Sequence, residues 1–215
     1  SLSVPLTING ENTLIENCTI NANLPSTQIP WEVDPEILEI PQGTGILITE
    51  GNVTLRNNVI QVSESSIIDA SGYYKSLYGI YIGGDYTTLC NNTVLMTGTQ
   101  YCYGVVIRSL NNIMSDNNVY VESEYYAAGI NIEGNAIKNN LICGNNIDVS
   151  AGYNETDMEN PDVAYGCLIL DKSCGGENYV ASSNSMYNNS YINNTVNVDA
   201  RQVYGFELWG GVNNT

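Results

Sequence analysis

Apolar residues recur along this chain in pairs separated by one residue, and the pairs return at a fixed interval. In residues 78–102 a glycine, Gly79, introduces the pair Ile80/Ile82, and an Asn pair, Asn91-Asn92, introduces the pair Val94/Met96. Alternation of this kind has the two-residue period of a strand, whose successive side chains point to opposite faces. The next copy repeats the first landmark at Gly104, Val105, Ile107 and the second at Asp116, Asn117, Val119, Val121, with Gly104 lying 25 residues after Gly79.

The same landmarks occur at Leu6/Ile8 with Cys18/Ile20, at Ile46/Ile48 with Asn58/Ile60/Val62, and at Ile130/Ile132 with Asn145/Ile147/Val149. They continue at Cys167/Ile169 with Asn194/Val196/Val198, and at Phe206/Leu208. Four copies place the Asn or Cys 10 residues after the second apolar residue, and a fifth, from Ile132 to Asn145, places it 13 after. A repeat of this length cannot bury its apolar face alone and must stack on its neighbours, which defines a solenoid. Two or three short strands per unit, without helical periodicity, predict an all-β, single-stranded right-handed parallel β-helix of about seven coils. Loop insertions are expected at one corner, and residues 1–215 form one domain. A leucine-rich consensus is missing, and 25 residues are too few for a four-stranded propeller blade.

Alternation then assigns faces. Ile46, Ile80, Val105, Ile130, Cys167 and Phe206 form one inner row, and Ile48, Ile82, Ile107, Ile132, Ile169 and Leu208 a second. Asn58, Asn92, Asn117, Asn145 and Asn194 form an inward amide row at the ~4.8 Å strand spacing, each rung donating to one neighbour and accepting from the other. Tyr78, Tyr103, Tyr165 and Tyr204 each precede the glycine of their unit and predict an aromatic row at one corner. Cys18 falls on the inward Asn position and Cys167 on an inner apolar one, so both read as buried thiols, while pairing among Cys90, Cys102, Cys143 and Cys174 stays open.

Charge narrows the partners. The chain has 23 acids against 6 basic residues, no His and a net charge of −17, which excludes nucleic acid and anionic membrane as partners. Only 13% of residues are charged, and Asn is in excess, as a fold built on left-handed turns requires. Hydrophobic residues make up 43%, enough for a long thin core, without an apolar run that could span a membrane. The chain begins without Met or a signal-peptide pattern and ends before the Asn pair expected after Leu208, so it reads as a segment of a longer surface array.

The links between repeats vary in length. Those at 97–103, 122–128 and 199–203 are short, and those at 23–42, 63–77 and 150–164 are long, yet all leave the same corner. Insertions on one face of a solenoid mark its binding face. These links hold more than half of the acids together with Trp31, Tyr73, Tyr74, Tyr101, Tyr125, Tyr126 and Tyr153, the candidate ligand-binding aromatics. No cofactor is required, but Asp34, Glu36, Glu155 and Asp157 offer oxygen ligands for Ca²⁺ without EF-hand spacing. Glycosylation sequons at Asn17, Asn52, Asn91, Asn154 and Asn193 add candidate modification sites.

Polysaccharide hydrolysis needs two carboxylates facing one bond. The outward strand rows offer only Glu207 and Asp148, on different strands, and the basic residues Arg56, Lys75, Arg108, Lys138, Lys172 and Arg201 fall in no shared row next to acids. The expectation is therefore a non-catalytic binding module, with a polysaccharide-active lyase or glycoside hydrolase as the alternative and a phage tailspike-like receptor-binding protein as a third.

The pattern YGIYI…NNTV, with AGINI…NNI and YGCLI…NNTVNV, resembles the β-helix repeats of the adhesin-like surface proteins of methanogenic archaea, in the broad pectate-lyase-like class. The resemblance covers residues 5–208 and rests on structural repeat positions. It implies an extracellular, cell-surface protein whose partner is a glycan or surface protein of another cell or of the same envelope. No catalytic motif is carried over.

Overall fold

A computed structural model describes residues 6–24, 27–30, 43–64, 73–134, 137–152, 163–171 and 188–209. The first coil is β1 (Leu6–Ile8), β2 (Leu14–Glu16) and β3 (Thr19–Leu24), followed by a short strand β4 (Thr27–Pro30). The second is β5 (Thr44–Ile48), β6 (Thr54–Arg56) and β7 (Val59–Glu64), and the third β8 (Tyr73–Ile82), β9 (Thr88–Cys90) and β10 (Thr93–Gly98). The fourth is β11 (Tyr101–Ile107), β12 (Ile113–Ser115) and β13 (Asn118–Ser123), and the fifth β14 (Tyr126–Gly134), β15 (Leu141–Cys143) and β16 (Asn146–Ala151). The sixth is β17 (Val163–Asp171), β18 (Ser190–Ile192) and β19 (Thr195–Asp199), and β20 (Gln202–Trp209) opens a seventh.

Equivalent strands stack in parallel into three sheets that wind as a right-handed β-helix. The opening sheet runs β1-β5-β8-β11-β14-β17-β20, the middle sheet β2-β6-β9-β12-β15-β18 and the closing sheet β3-β7-β10-β13-β16-β19. Among the described strands only β4 departs, pairing antiparallel with the start of β8. Register follows the apolar rows: Ile46, Ile80, Val105 and Ile130 are consecutive partners, and all four are fully buried.

The middle strands are three residues long because left-handed residues bracket them. Asn12 and Asn17, Asn52 and Asn57, Tyr86 and Asn91, Asn111 and Asp116, Asn139 and Gly144, and Asn188 and Asn193 all have φ between 54° and 66°. Asn tolerates this conformation at little cost, which is why it is abundant here. Tyr86, at φ 59°, is the bulky exception.

Each left-handed residue is followed by an inward one, so two buried rows form. The expected row is present: Nδ2 of Asn58, Asn92, Asn117 and Asn145 donates to Oδ1 of the next rung at 2.9–3.0 Å. The same Oδ1 also accepts a backbone N–H, as Asn117 does from Asn92 at 2.9 Å. A second row, five residues earlier, links Asn112 to Asn140 and Asn140 to Asn189, each at 3.0 Å, with Thr87 donating its backbone N–H to Asn112 at 2.8 Å.

Two expectations fail. Cys18 holds the inward Asn position but is exposed, because it belongs to the first coil and its backbone N–H, not its thiol, meets the row at Asn58 Oδ1. Basic residues do share rows with acids: Arg56 pairs with Glu16, and Arg108 with Glu133, each pair on adjacent coils. Strand alternation counted from the apolar pairs stops at the strand ends, where these charges sit, and so missed both. Cys167 is buried as expected, and the cysteines of the described residues are free thiols. Cys90 and Cys143 share an outer row with Ser115 between them. Two strand spacings, about 9.6 Å, are too far for a disulfide.

Candidate binding face

The corner between the closing sheet and the next opening strand is where the chain departs most from regularity. Its edge is the outward row Asn23, Ser63, Thr97, Glu122, Ser150, Asp199, one residue per coil. From Ser63 to Asp199 this row, with Glu64, Thr99, Ser123, Glu124, Gly152 and Arg201, lines an open groove of about 970 Å³. From Ser63 to Asp199 it crosses five coils, roughly 19 Å at the strand spacing.

The groove is held by its own links. Gly98 lines the groove where a Cβ would lie 2.6 Å from Cys102 Sγ. The Glu64 carboxylate reaches Thr99 and accepts its N–H at 3.0 Å and its hydroxyl at 2.6 Å. Buried Ser123 donates to Gln100 O at 2.7 Å and accepts the Tyr125 N–H at 3.3 Å, fixing the turn between Glu122 and Tyr126. Gly152 N–H donates to Ser123 O at 2.6 Å, tying the fifth coil to the fourth.

Tyrosines border the opening-sheet side. Tyr101 meets Tyr125 edge-on at 5.6 Å and Tyr126 at 5.2 Å. The predicted row is present but interrupted, because Ala128 occupies the fifth-coil position between Tyr103 and Tyr165. Tyr126, two residues earlier and so on the same face, closes the gap at 5.6 Å from Tyr103 and 5.4 Å from Tyr165. Tyr78 stacks on Tyr103 at 5.2 Å and Tyr165 on Tyr204 at 4.9 Å, with interplanar angles of 12°. Ring faces are thus spent on one another. Burial pushes Tyr78 and Tyr165 up to about 12 and Tyr126 and Tyr103 higher still, so these phenols stay protonated and can donate hydrogen bonds.

Tyr101, Tyr125 and Tyr126 are therefore brought together beside Glu124, which lines the groove. Tyr73 and Tyr74 lie where β8 pairs with Pro30 and Ile29 of β4. Trp31, Tyr153, the proposed Ca²⁺ ligands Asp34, Glu36, Glu155 and Asp157, the sequon at Asn154, and Cys174 lie outside the described residues. Among the described residues, no group of three or more His, Cys, Asp or Glu side chains could hold a metal ion. Asn17, Asn52, Asn91 and Asn193 are exposed corner residues with positive φ.

Thr99, Ser123 and Ser150 were not singled out by sequence, and Arg201 only as one of the basic residues, although the row that holds Ser150 is readable there. Ser63, Thr97, Glu122, Ser150 and Asp199 each lie five residues after an inward Asn. No family model, curated protein or solved structure matches the chain.

Proposed function

We propose that this chain is a non-catalytic, adhesin-like module of a cell surface that holds an extended glycan, or a segment of a surface protein, along the corner groove. The observation that carries the reading is the groove itself: five coils contribute hydroxyls, carboxylates and backbone groups to one continuous open channel, and Tyr125 and Tyr126 follow directly on its lining residue Glu124. Each coil adds one contact at a fixed interval, which suits a polymer better than a small molecule. The resemblance to archaeal adhesin-like repeats and the strongly acidic composition favour an extracellular, envelope-attached setting.

A glycan array and whole-cell lysates, probed with and without Ca²⁺, test this. The expected result is retention of one oligosaccharide class or one surface protein, lost when the channel is filled by Ser150→Trp. Retention unchanged by Ser150→Trp would move the site elsewhere.

One observation favours a second reading, a polysaccharide-active enzyme. Glu122 and Asp199, which the sequence assigned to the links, stand in one outward row with Ser150 between them. Their Cα atoms are about 9.6 Å apart by strand spacing, a backbone placement from which two carboxyl groups can span the roughly 6.5–9.5 Å that inverting glycosidases use. Release of reducing ends or unsaturated products, abolished by Glu122→Gln or Asp199→Asn, would establish it instead.

A further inference from the structure

The outer face of the closing sheet carries a tyrosine that the ladder does not use. Its central outward row runs Asn21, Gln61, Leu95, Tyr120, Asp148, Asn197, one residue per coil. Tyr120 is 37% exposed, and its side chain, like those of Glu122 and Asp148, makes no hydrogen bond, ion pair or ring contact among the described residues. The rings of Tyr78, Tyr103, Tyr126, Tyr165 and Tyr204 lie against one another instead.

Tyr120 does not stand on a flat surface. With Leu95, Thr97, Glu122, Asp148 and Ser150 it lines a cavity of about 310 Å³, which shares Thr97, Glu122 and Ser150 with the corner groove. Leu95 and Asp148 flank it from adjacent coils at the ~4.8 Å strand spacing, and Glu122 stands two residues along its own strand, about 6.6 Å away. One aromatic surface is thus surrounded by two carboxylates and two hydroxyls. An apolar wall with a few placed polar groups is the composition that holds a small ring in one orientation.

Two features decide the class of ligand. β10, β13 and β16 are each hydrogen-bonded on both sides, within the run from β7 to β19, so their ladder groups are already paired and cannot take up an added peptide strand. A ligand here must bind through side chains, with a C–H face against Tyr120 and hydroxyl donors to Glu122 and Asp148, the charge-assisted bonds that carboxylates accept. The lining holds two acids and no base, which repels a uronate, sulfate or phosphate. We propose that Tyr120, with Leu95, Glu122 and Asp148, forms a subsite for one uncharged or amino-substituted hexopyranose of a glycan. The subsite rests on the glycan reading of the corner groove and extends it onto the closing sheet.

Titration calorimetry of the 215-residue chain with hexasaccharides of glucose, mannose, galactose, glucosamine and galacturonate tests the proposal. At least one of the first four binds, and the galacturonate hexasaccharide does not. Tyr120→Ala weakens that binding about tenfold or more at unchanged circular dichroism, whereas Tyr120→Phe, which keeps the ring face, stays within about threefold of the parent chain. Gly152→Trp fills the groove away from Tyr120, at a position where a Cβ meets nothing closer than 3.5 Å. Loss with Gly152→Trp but not with Tyr120→Ala overturns the subsite and leaves the groove reading standing. Loss with Tyr120→Ala but not with Gly152→Trp keeps the subsite and overturns the groove reading. Equal loss with Tyr120→Phe and Tyr120→Ala, preference for galacturonate, or binding of none of the hexasaccharides overturns the subsite.

Discussion

Replacing Asn117 by Leu separates the stabilising role of the amide row from its volume. In the folded chain Asn117 Oδ1 accepts the Asn92 backbone N–H at 2.9 Å and the Asn92 Nδ2–H at 3.0 Å, both buried. Leu is close in size but cannot accept, so two buried donors of the neighbouring coil lose their partner. Each orphaned group costs about 1–3 kcal/mol, and the substitution therefore costs roughly 2–6 kcal/mol. Asn145 keeps a donor, because the Asn117 backbone N–H still reaches it at 3.0 Å. Asn58→Leu is the internal control: its Oδ1 accepts only the backbone N–H of exposed Cys18, so about 1 kcal/mol or less is expected. For a chain of this size each kcal/mol moves the melting temperature by about 2–4 °C, so Asn117→Leu lowers it by roughly 5–20 °C. Hydrogen exchange should show the Asn92 amide losing protection before amides in distant coils. Equal costs for the two substitutions, or less than about 1 kcal/mol for Asn117→Leu, would refute the view that the row is stabilised by reciprocal satisfaction.

Other perturbations follow from the same geometry. Gly104→Ala places a Cβ 2.5 Å from Gly129 O and 2.6 Å from Val119 Cγ1, and is expected to cost about 3 kcal/mol or more in urea unfolding, while Gly10→Ala, with 3.5 Å of clearance, costs less than about 1. Tyr86→Asn relieves a bulky residue held at φ 59° and should stabilise by about 1 kcal/mol; a loss would show that the Tyr86 ring makes a contact worth more than the strain. Asn131→Val, matching Val106 one coil earlier, removes a buried Oδ1 without a partner and should be neutral or stabilising by about 1–2 kcal/mol. At high pH, Tyr78 and Tyr165 are pushed up to about 12 from an ordinary 10, so the folded state holds protons that the unfolded state releases. That contribution is present below pH 10 and is lost as pH rises towards 12; absorbance at 295 nm and circular dichroism should change together across this window, and phenolate formation complete by pH 10 with the fold intact would contradict it.

The fold was legible because one constraint repeats in every coil. A stacked β coil must turn sharply twice around its middle strand, and left-handed Asn followed by an inward residue does so cheaply, which leaves the Asn pairs in the sequence. The sequons at Asn17, Asn52, Asn91 and Asn193 have the same origin: a left-handed Asn, a residue at the inward position, then the Thr that opens a strand, as in Asn91-Asn92-Thr93. The second amide row escaped notice because Thr87 breaks it in the third coil and Asn140 follows a longer link. The middle strands were missed because three residues are too few to display a period. Tyr126 was assigned to the binding links, and only the registers show it bridging a gap in the tyrosine ladder left by Ala128. The ion pairs Arg56–Glu16 and Arg108–Glu133 form at strand ends across coils, where a count anchored on the apolar pairs no longer fixes the face.

The division of labour among the corners follows from these constraints. Two of the three corners in each coil are fixed by a left-handed residue and a buried amide or its substitute, so a change of side chain there perturbs the neighbouring coils at once. The third corner carries no such row. Its strands end at different points, and each link is secured by its own bonds: Glu64 to Thr99, Ser123 to Gln100. Substitutions there should be nearly additive from coil to coil, because each link's bonds join it only to an adjacent coil. A double-mutant cycle on Thr97→Ala and Ser150→Ala, two coils apart along the groove, is expected to give a coupling below about 0.5 kcal/mol in stability. The corresponding pair in the amide row, Asn92→Leu and Asn117→Leu, shares a bond at 3.0 Å and should couple by about 1 kcal/mol or more. Strong coupling along the groove would mean that this corner is also a cooperative ladder, and its variable links could not then be exchanged without disturbing the stack.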